Sequence, residues 1–101
     1  MTTAIFVDTS ALYAVLDADD EAHGSAFAAW NRLLDGLQTE ELAAVTHGAV
    51  VVEATALVQR RLGMPAVRAL LHELVPVLEV RWVDAALHGL AASALLAAGR
   101  R

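Results

Sequence analysis

Two reactive residue types are absent from the sequence, and each absence excludes a class of chemistry. The 101 residues include no cysteine, which excludes disulfide frameworks, thiolate nucleophiles and cysteine zinc sites. Lysine is also absent, because all seven basic residues are arginines. A Walker phosphate loop and Schiff-base chemistry are therefore excluded. The lack of cysteine fits a reducing compartment, and we predict a cytoplasmic protein.

Charged and aromatic side chains are scarce, at 19% and 5% of the chain, whereas 57% of the residues are hydrophobic. This composition excludes disorder, and the length predicts one domain. The longest apolar candidate, Ala85–Ala98, is shorter than the roughly 18 residues of a membrane span, so no membrane association is predicted. The apolar surplus instead predicts a homodimer or a complex with a partner protein.

The few charges are distributed unevenly. Residues 1–53 contain nine carboxylates and one arginine, whereas residues 54–101 contain three carboxylates and six arginines. The overall net charge of -5 argues against nonspecific nucleic-acid binding. An acidic centre beside arginines suits a metal site that handles phosphate.

Three short apolar runs predict strands, and helical patterns separate them. The predicted strands are 4–7, 42–45 and 77–83, and the predicted helices are 11–16, 23–35, 46–62, 65–74 and 85–98. Strands joined through helices imply crossover connections. The predicted fold is therefore α/β, a three-layer α/β/α sandwich on a parallel sheet.

Individual residues refine these predicted elements. The first strand reads as fully buried, Gly36 is expected to end the second helix, and Thr46 is expected to cap the third. The second helix should bury one face, formed by Phe27, Trp30 and Leu34. The last helix is apolar nearly all round, which predicts that it is buried nearly all round.

Asp8 is the first candidate site residue, because it ends the first predicted strand. Ligands of open α/β sheets bind beyond the carboxyl ends of the strands. The alternative is that Asp8 only caps the helix that follows, and position supports the two roles equally. Ser10 could hold Asp8 by a hydrogen bond, or could itself cap that helix.

Glu53 is the second candidate, on the edge of the buried stripe of the third helix. A carboxylate beside buried surface needs a partner, which could be a metal ion or the guanidinium of Arg60, and the ion pair is slightly favoured. If the first two strands are parallel, Asp8 and Glu53 project toward one end of the sheet. Carboxylate oxygens are preferred ligands of Mg²⁺ or Mn²⁺, which can polarise a phosphodiester.

Two segments resemble motifs of one family. Phe6-Val7-Asp8-Thr9-Ser10-Ala11-Leu12 is similar to the opening of a PIN domain, and Val51-Val52-Glu53-Ala54 resembles its second motif. Element order matches along all 101 residues, closest to VapC-type toxins. The resemblance implies a single PIN-like α/β/α domain, metal-dependent RNA hydrolysis and a cognate antitoxin, with Asp8 and Glu53 as metal ligands. It also lets Ser10 and Arg60 support the site. Arg60 and Arg61 could contact RNA phosphate as bidentate donors, whereas a solvated helix end that suits the helix dipole is the favoured role for at least one of them.

The family supplies further aspartates after the helix that is predicted to end near Ala98, so we interpret residues 1–101 as the N-terminal portion of the domain. We therefore expect this chain alone to bind metal weakly and to be inactive as a nuclease. The alternative is a non-catalytic interaction module, or a decayed homologue, that keeps dimer or antitoxin surfaces. A haloacid-dehalogenase-type phosphatase is excluded because Ser10 stands where it needs a second Asp, and a receiver domain is excluded by the absence of lysine.

Overall fold

The computed structural model describes residues 1–99, in which three short strands alternate with helices. The strands are β1 (Thr3–Phe6), β2 (Leu42–His47) and β3 (Glu79–Arg81). The helices are α1 (Thr9–Leu16), α2 (His23–Gln38), α3 (Gly48–Leu62), α4 (Met64–Ala69) and α5 (Ala85–Ala98). Helix α4 continues into a π-helical turn (Leu70–Leu74) and a 3-10 turn (Val75–Val77). The predicted α/β class is confirmed.

The strands form one parallel sheet in the order β1-β2-β3, with Phe6 opposite Val45. Beyond the last residue of β1, the Val7 N–H donates to the Val45 carbonyl at 2.9 Å. The buried Thr46 hydroxyl donates to the Val7 carbonyl at 2.6 Å. The segment that leaves β1 is therefore bonded to the carboxyl end of β2.

The core lies where α1 and α3 pack together over this sheet. Leu12 of α1, Val58 of α3 and Leu70 of the π-helical turn are completely buried. Helix α3 also buries Val51 and Ala54, so the predicted apolar stripe of this helix is confirmed. Burial of a leucine or valine side chain contributes about 1.5–3 kcal/mol, and this contact holds the two helices in fixed positions relative to the sheet edge.

Helix α3 ends where the sequence predicts. Gly63 adopts a φ of +86°, a conformation that side chains with a Cβ rarely adopt, and its N–H donates to the Val58 carbonyl at 3.1 Å. Pro65 then occupies the first turn of α4, where its missing N–H costs no helical hydrogen bond.

Three expectations about single elements are wrong. Strand β1 is exposed along its length, and of the predicted segment 4–7 only Val7, which follows β1, is buried. Helix α2 continues past Gly36 to Gln38. Gly36 instead allows close approach to Leu42, whose side chain a Cβ at position 36 would overlap. Thr46 lies inside β2 and is a buried strand residue rather than a helix cap.

The buried face of α2 also differs from the predicted one. Leu33 is the buried residue of this helix, and Trp30 is half-buried as predicted. Phe27 and Leu34 are exposed. The contact stripe runs through Trp30, Leu33 and Leu37, which is turned by about one residue from the predicted face.

Helix α5 is the largest departure from expectation, because its leucines face solvent. Leu90, Leu95 and Leu96 are 70%, 73% and 71% exposed. No other element among residues 1–99 covers them, so the predicted burial of this helix is wrong for the described chain. None of the helices within residues 1–99 has both the length and the apolar character that crossing a bilayer requires.

Candidate metal and phosphate site

Asp8 lies two residues after the carboxyl end of β1 and caps α1. Its Oδ1 accepts hydrogen bonds from the Ala11 N–H at 3.0 Å and from the Ser10 hydroxyl at 2.9 Å. The Oδ2 atom accepts no hydrogen bond from the described residues, and the side chain is exposed. The two roles considered for Asp8 are therefore compatible, because the cap uses one oxygen and leaves the other for a ligand.

Glu53 lies in the second turn of α3, and its side chain is exposed. It forms no ion pair with any described basic side chain, including Arg60 in the last turn of the same helix. The ion-pair explanation of Glu53 is thus not realised within residues 1–99. Arg60 is exposed at the C-terminal end of α3, opposite the end that follows β2.

The fold brings the elements that carry the two carboxylates to one edge. Helix α1 begins at Thr9 after β1, and α3 begins at Gly48 after β2, and the two helices pack against each other. Adjacent parallel strands end at the same edge, which is the usual ligand edge of such sheets. Close approach of the Asp8 and Glu53 carboxylates to one another stays a prediction.

The donor set can be compared with what a hard divalent cation needs. Carboxylate oxygens are the ligands that Mg²⁺ and Mn²⁺ prefer, so Asp8 and Glu53 are of the right chemical type. Within residues 1–99, however, no group of three or more Asp, Glu or His side chains gathers to hold a metal. The described chain therefore fits a divalent cation in ligand type and falls short of it in ligand number.

A groove of 670 Å³ opens between α1, α2 and α3, and its lining includes Ser10, which bonds to Asp8. Its polar lining comprises Ser10, Tyr13, Asp20, Ser25, Arg32 and Arg61. Sequence reasoning noted Arg61 but missed Arg32. The sequence signal that could have identified Arg32 is its charge, since it is the one arginine in the acidic first half of the chain, residues 1–53.

A small network beside the groove holds Arg61 in position. The Tyr13 hydroxyl donates to Asp17 Oδ2 at 2.7 Å, and the Arg61 guanidinium carbon lies 5.7 Å from the centroid of the Tyr13 ring. The hydrogen bond from Tyr13, helped by one from the Asp19 N–H, lowers the pKa of Asp17. The same bond to Asp17, together with desolvation, raises the pKa of Tyr13.

Comparison with solved structures shows similarity to a known toxin. The chain is similar to the crystal structure of VapC20 from Mycobacterium tuberculosis, a sarcin–ricin-loop-cleaving toxin, with a TM-score of 0.71 and 29% sequence identity. The alignment covers 98% of this chain and 71% of that one. No protein-family model and no curated protein sequence matches.

Proposed function

We propose that this chain, which has the VapC-type PIN fold, acts as a toxin ribonuclease of a type II toxin–antitoxin pair and hydrolyses RNA phosphodiester bonds. The observation that carries the proposal is the shared sheet edge. Asp8 follows β1 there, and the helix that bears Glu53 begins there after the adjacent parallel strand.

Each residue of the edge has a distinct part in this proposal. Asp8 offers Oδ2 to a divalent cation while its Oδ1 is held by Ser10 and the α1 backbone, so its orientation is fixed before any ligand binds. Glu53 offers a second carboxylate from α3. When bound, Mg²⁺ or Mn²⁺ supplies polarisation of the phosphodiester and a lowered pKa of the attacking water. No covalent intermediate with the protein is needed.

Two carboxylates leave most of the coordination of a metal ion to water, so this chain alone should cleave RNA little or not at all. The test therefore measures Mn²⁺ binding instead of cleavage. We expect Asp8→Asn and Glu53→Gln each to weaken Mn²⁺ binding in calorimetric titration by at least about tenfold, since even indirect partners of metal ligands are worth about 10–100-fold. Glu73→Gln, at an exposed position in the π-helical turn, is the matched control. A variant with the parental affinity would show that its residue is not a ligand.

The proposed partners are a cognate antitoxin and a second copy of the chain, in the cytoplasm. The exposed leucines of α5 support an association surface, because contiguous apolar patches on soluble domains mark interaction sites. We expect a homodimer in sedimentation equilibrium at micromolar concentration, and we expect Leu95→Gln to shift it toward monomer. A parent protein that sediments as a monomer without antitoxin would contradict the dimer.

A second candidate function is a non-catalytic interaction module. It is favoured by one observation, that residues 1–99 assemble no set of three metal-binding side chains. The two candidates differ in the metal titration. A module needs no cation, so a chain that associates through α5 yet shows no Mn²⁺ binding sensitive to Asp8 or Glu53 would be a module.

A further inference from the structure

We propose that the groove between α1, α2 and α3 binds a backbone phosphate of the RNA through Arg32 and Arg61, and so guides the strand past Asp8. The inference deepens the proposed function and rests on it. Its starting point is the groove lining, in which two arginines from different helices face one open volume of 670 Å³.

The two guanidinium groups form no ion pair within residues 1–99, and the contact of Arg61 is with the uncharged Tyr13 side chain. Neither Arg32 nor Arg61 lies within 4 Å of a described carboxylate oxygen, and both residues are exposed. Arginine presents planar pairs of N–H donors that match phosphate oxygens and keep their charge at any physiological pH. Two such groups on one groove of a protein with a net charge of -5 indicate a local anion site.

The nearby carboxylates have other hydrogen-bonding partners. Asp17 accepts from the Tyr13 hydroxyl through Oδ2 and from the Asp19 N–H through Oδ1. Asp20, which also lines the groove, accepts from the Ala22 N–H at 2.8 Å. These bonds shape the turn between α1 and α2. These carboxylates still reduce the positive potential near Arg61. Phosphate binding in the groove therefore depends on direct hydrogen bonds from the guanidinium groups more than on long-range electrostatic attraction.

Arg61 is oriented before the ligand arrives. Its guanidinium stacks over the Tyr13 ring, whose hydroxyl is fixed by Asp17. A cation held over an aromatic face loses less side-chain freedom on binding, so more of the contact energy is expressed as affinity.

The groove is continuous with the candidate cation site. Ser10 lines the groove, and its hydroxyl donates a hydrogen bond to Asp8 Oδ1 at 2.9 Å. Because the same groove is lined by Arg32, Arg61 and Ser10, we expect a strand bound along it to reach the edge that holds Asp8. Arg60 does not line the groove, so it is Arg61 of this neighbouring pair that the structure assigns to RNA.

The experiment measures RNA binding in the full chain, in an Asp8→Asn background that prevents cleavage. The probes are fluorescein-labelled oligo-U and oligo-A of about 12 nucleotides, a length within the usual range of single-strand sites. We expect Arg32→Gln and Arg61→Gln each to raise the Kd about tenfold, equally for both probes, because a phosphate contact carries no base information. The slope of log Kd against log salt should fall by about 0.7 for each lost contact.

Arg68→Gln is the matched control, because Arg68 is an exposed arginine of α4 outside the groove and the variant has the same net charge. If both groove variants bind RNA as Arg68→Gln does, the inference is overturned. The same holds if they change only the binding of a protein partner and leave RNA binding unchanged. Should Arg61→Gln unfold because it leaves Tyr13, Arg32→Gln alone decides, since Arg32 has no such contact.

The outcome is separable from that of the proposed function. Made in the parental chain, Arg32→Gln and Arg61→Gln should keep its Mn²⁺ affinity, whereas Asp8→Asn and Glu53→Gln should weaken it. Unchanged RNA binding in the arginine variants would contradict the proposed RNA-binding role of the groove and leave the proposed cation site untouched. Unchanged Mn²⁺ binding in the Asp8 and Glu53 variants contradicts the cation site alone.

Discussion

Thr46→Val tests whether the sheet edge is held by a single buried side chain. The Thr46 hydroxyl is inaccessible to solvent and donates to the Val7 carbonyl, one residue before Asp8. Valine keeps the shape and the β-branching but removes the donor, so a buried carbonyl loses a hydrogen-bond partner.

The expected cost follows from that geometry. Leaving a buried acceptor without its donor costs about 1–3 kcal/mol, and the added methyl group returns up to about 0.8 kcal/mol. We expect the free energy of unfolding to fall by about 1–2 kcal/mol, which corresponds to a loss of roughly 5–15 °C in Tm for a domain of this size.

Urea denaturation followed by circular dichroism is the assay, with Thr55→Val as the matched control. The Thr55 hydroxyl donates to the Val51 carbonyl at 2.7 Å inside α3, where the helical N–H already satisfies that carbonyl. The control should change stability by less than about 0.5 kcal/mol. Equal unfolding midpoints for the two variants would refute the reasoning. A further expectation is weaker Mn²⁺ binding in Thr46→Val only, because Asp8 follows the strand end that this bond holds.

Two other perturbations address the groove network and a close contact at the sheet edge. Tyr13→Phe removes the hydrogen bond that holds the pKa of Asp17 below its usual 3.8 and the pKa of Tyr13 above its usual 10.0. The bond stabilises the fold above the unfolded pKa of Asp17 and below that of Tyr13, and it is lost as pH falls through the lowered pKa or rises through the raised one. The difference in unfolding free energy between parent and variant should therefore be constant from about pH 5 to 9 and should disappear in strong acid; a difference that persists there would contradict the assignment. Gly48→Ala should destabilise by about 1 kcal/mol, the lower end of the cost of overpacking, because a Cβ at Gly48 would overlap the indole of Trp82, an exposed side chain that must shift. Gly24→Ala, where the added carbon meets nothing within 4 Å, should instead gain about 0.4–1 kcal/mol, and equal urea midpoints for these two variants would show that the indole moves at no cost.

The order of elements and the parallel sheet could be predicted because they depend on local signals. The apolar runs, the stripe of α3 and the Gly63-Met64-Pro65 boundary each reflect one dominant interaction. The second helix shows the limit. Gly36 looks like a helix end, but its role is to let Leu42 approach, and this contact is visible only in three dimensions.

The residues of the candidate site likewise divide into those that local sequence identifies and those that only the three-dimensional structure identifies. Asp8 was identified because a strand, an acid and a helix start are consecutive in the chain. Thr46 was misassigned because a buried threonine that bonds to another strand and a helix cap look alike in sequence. Arg32 was missed because its partner across the groove, Arg61, is 29 positions away and on another helix.

The parallel pairing of β1 with β2 has a consequence for the time at which the site forms. Residues 3 and 42 are partners, so the strand end that positions Asp8 pairs only after a long stretch of chain, including α1 and α2, has been made. Closing a loop of that length costs about 3 kcal/mol in chain entropy beyond the constant term. At synthesis rates of about 5–20 residues per second, β1 waits roughly 2–8 s for its partner strand. During that interval Asp8 belongs to no assembled edge, because the edge forms only after β2 has been made and Thr46 bonds to Val7.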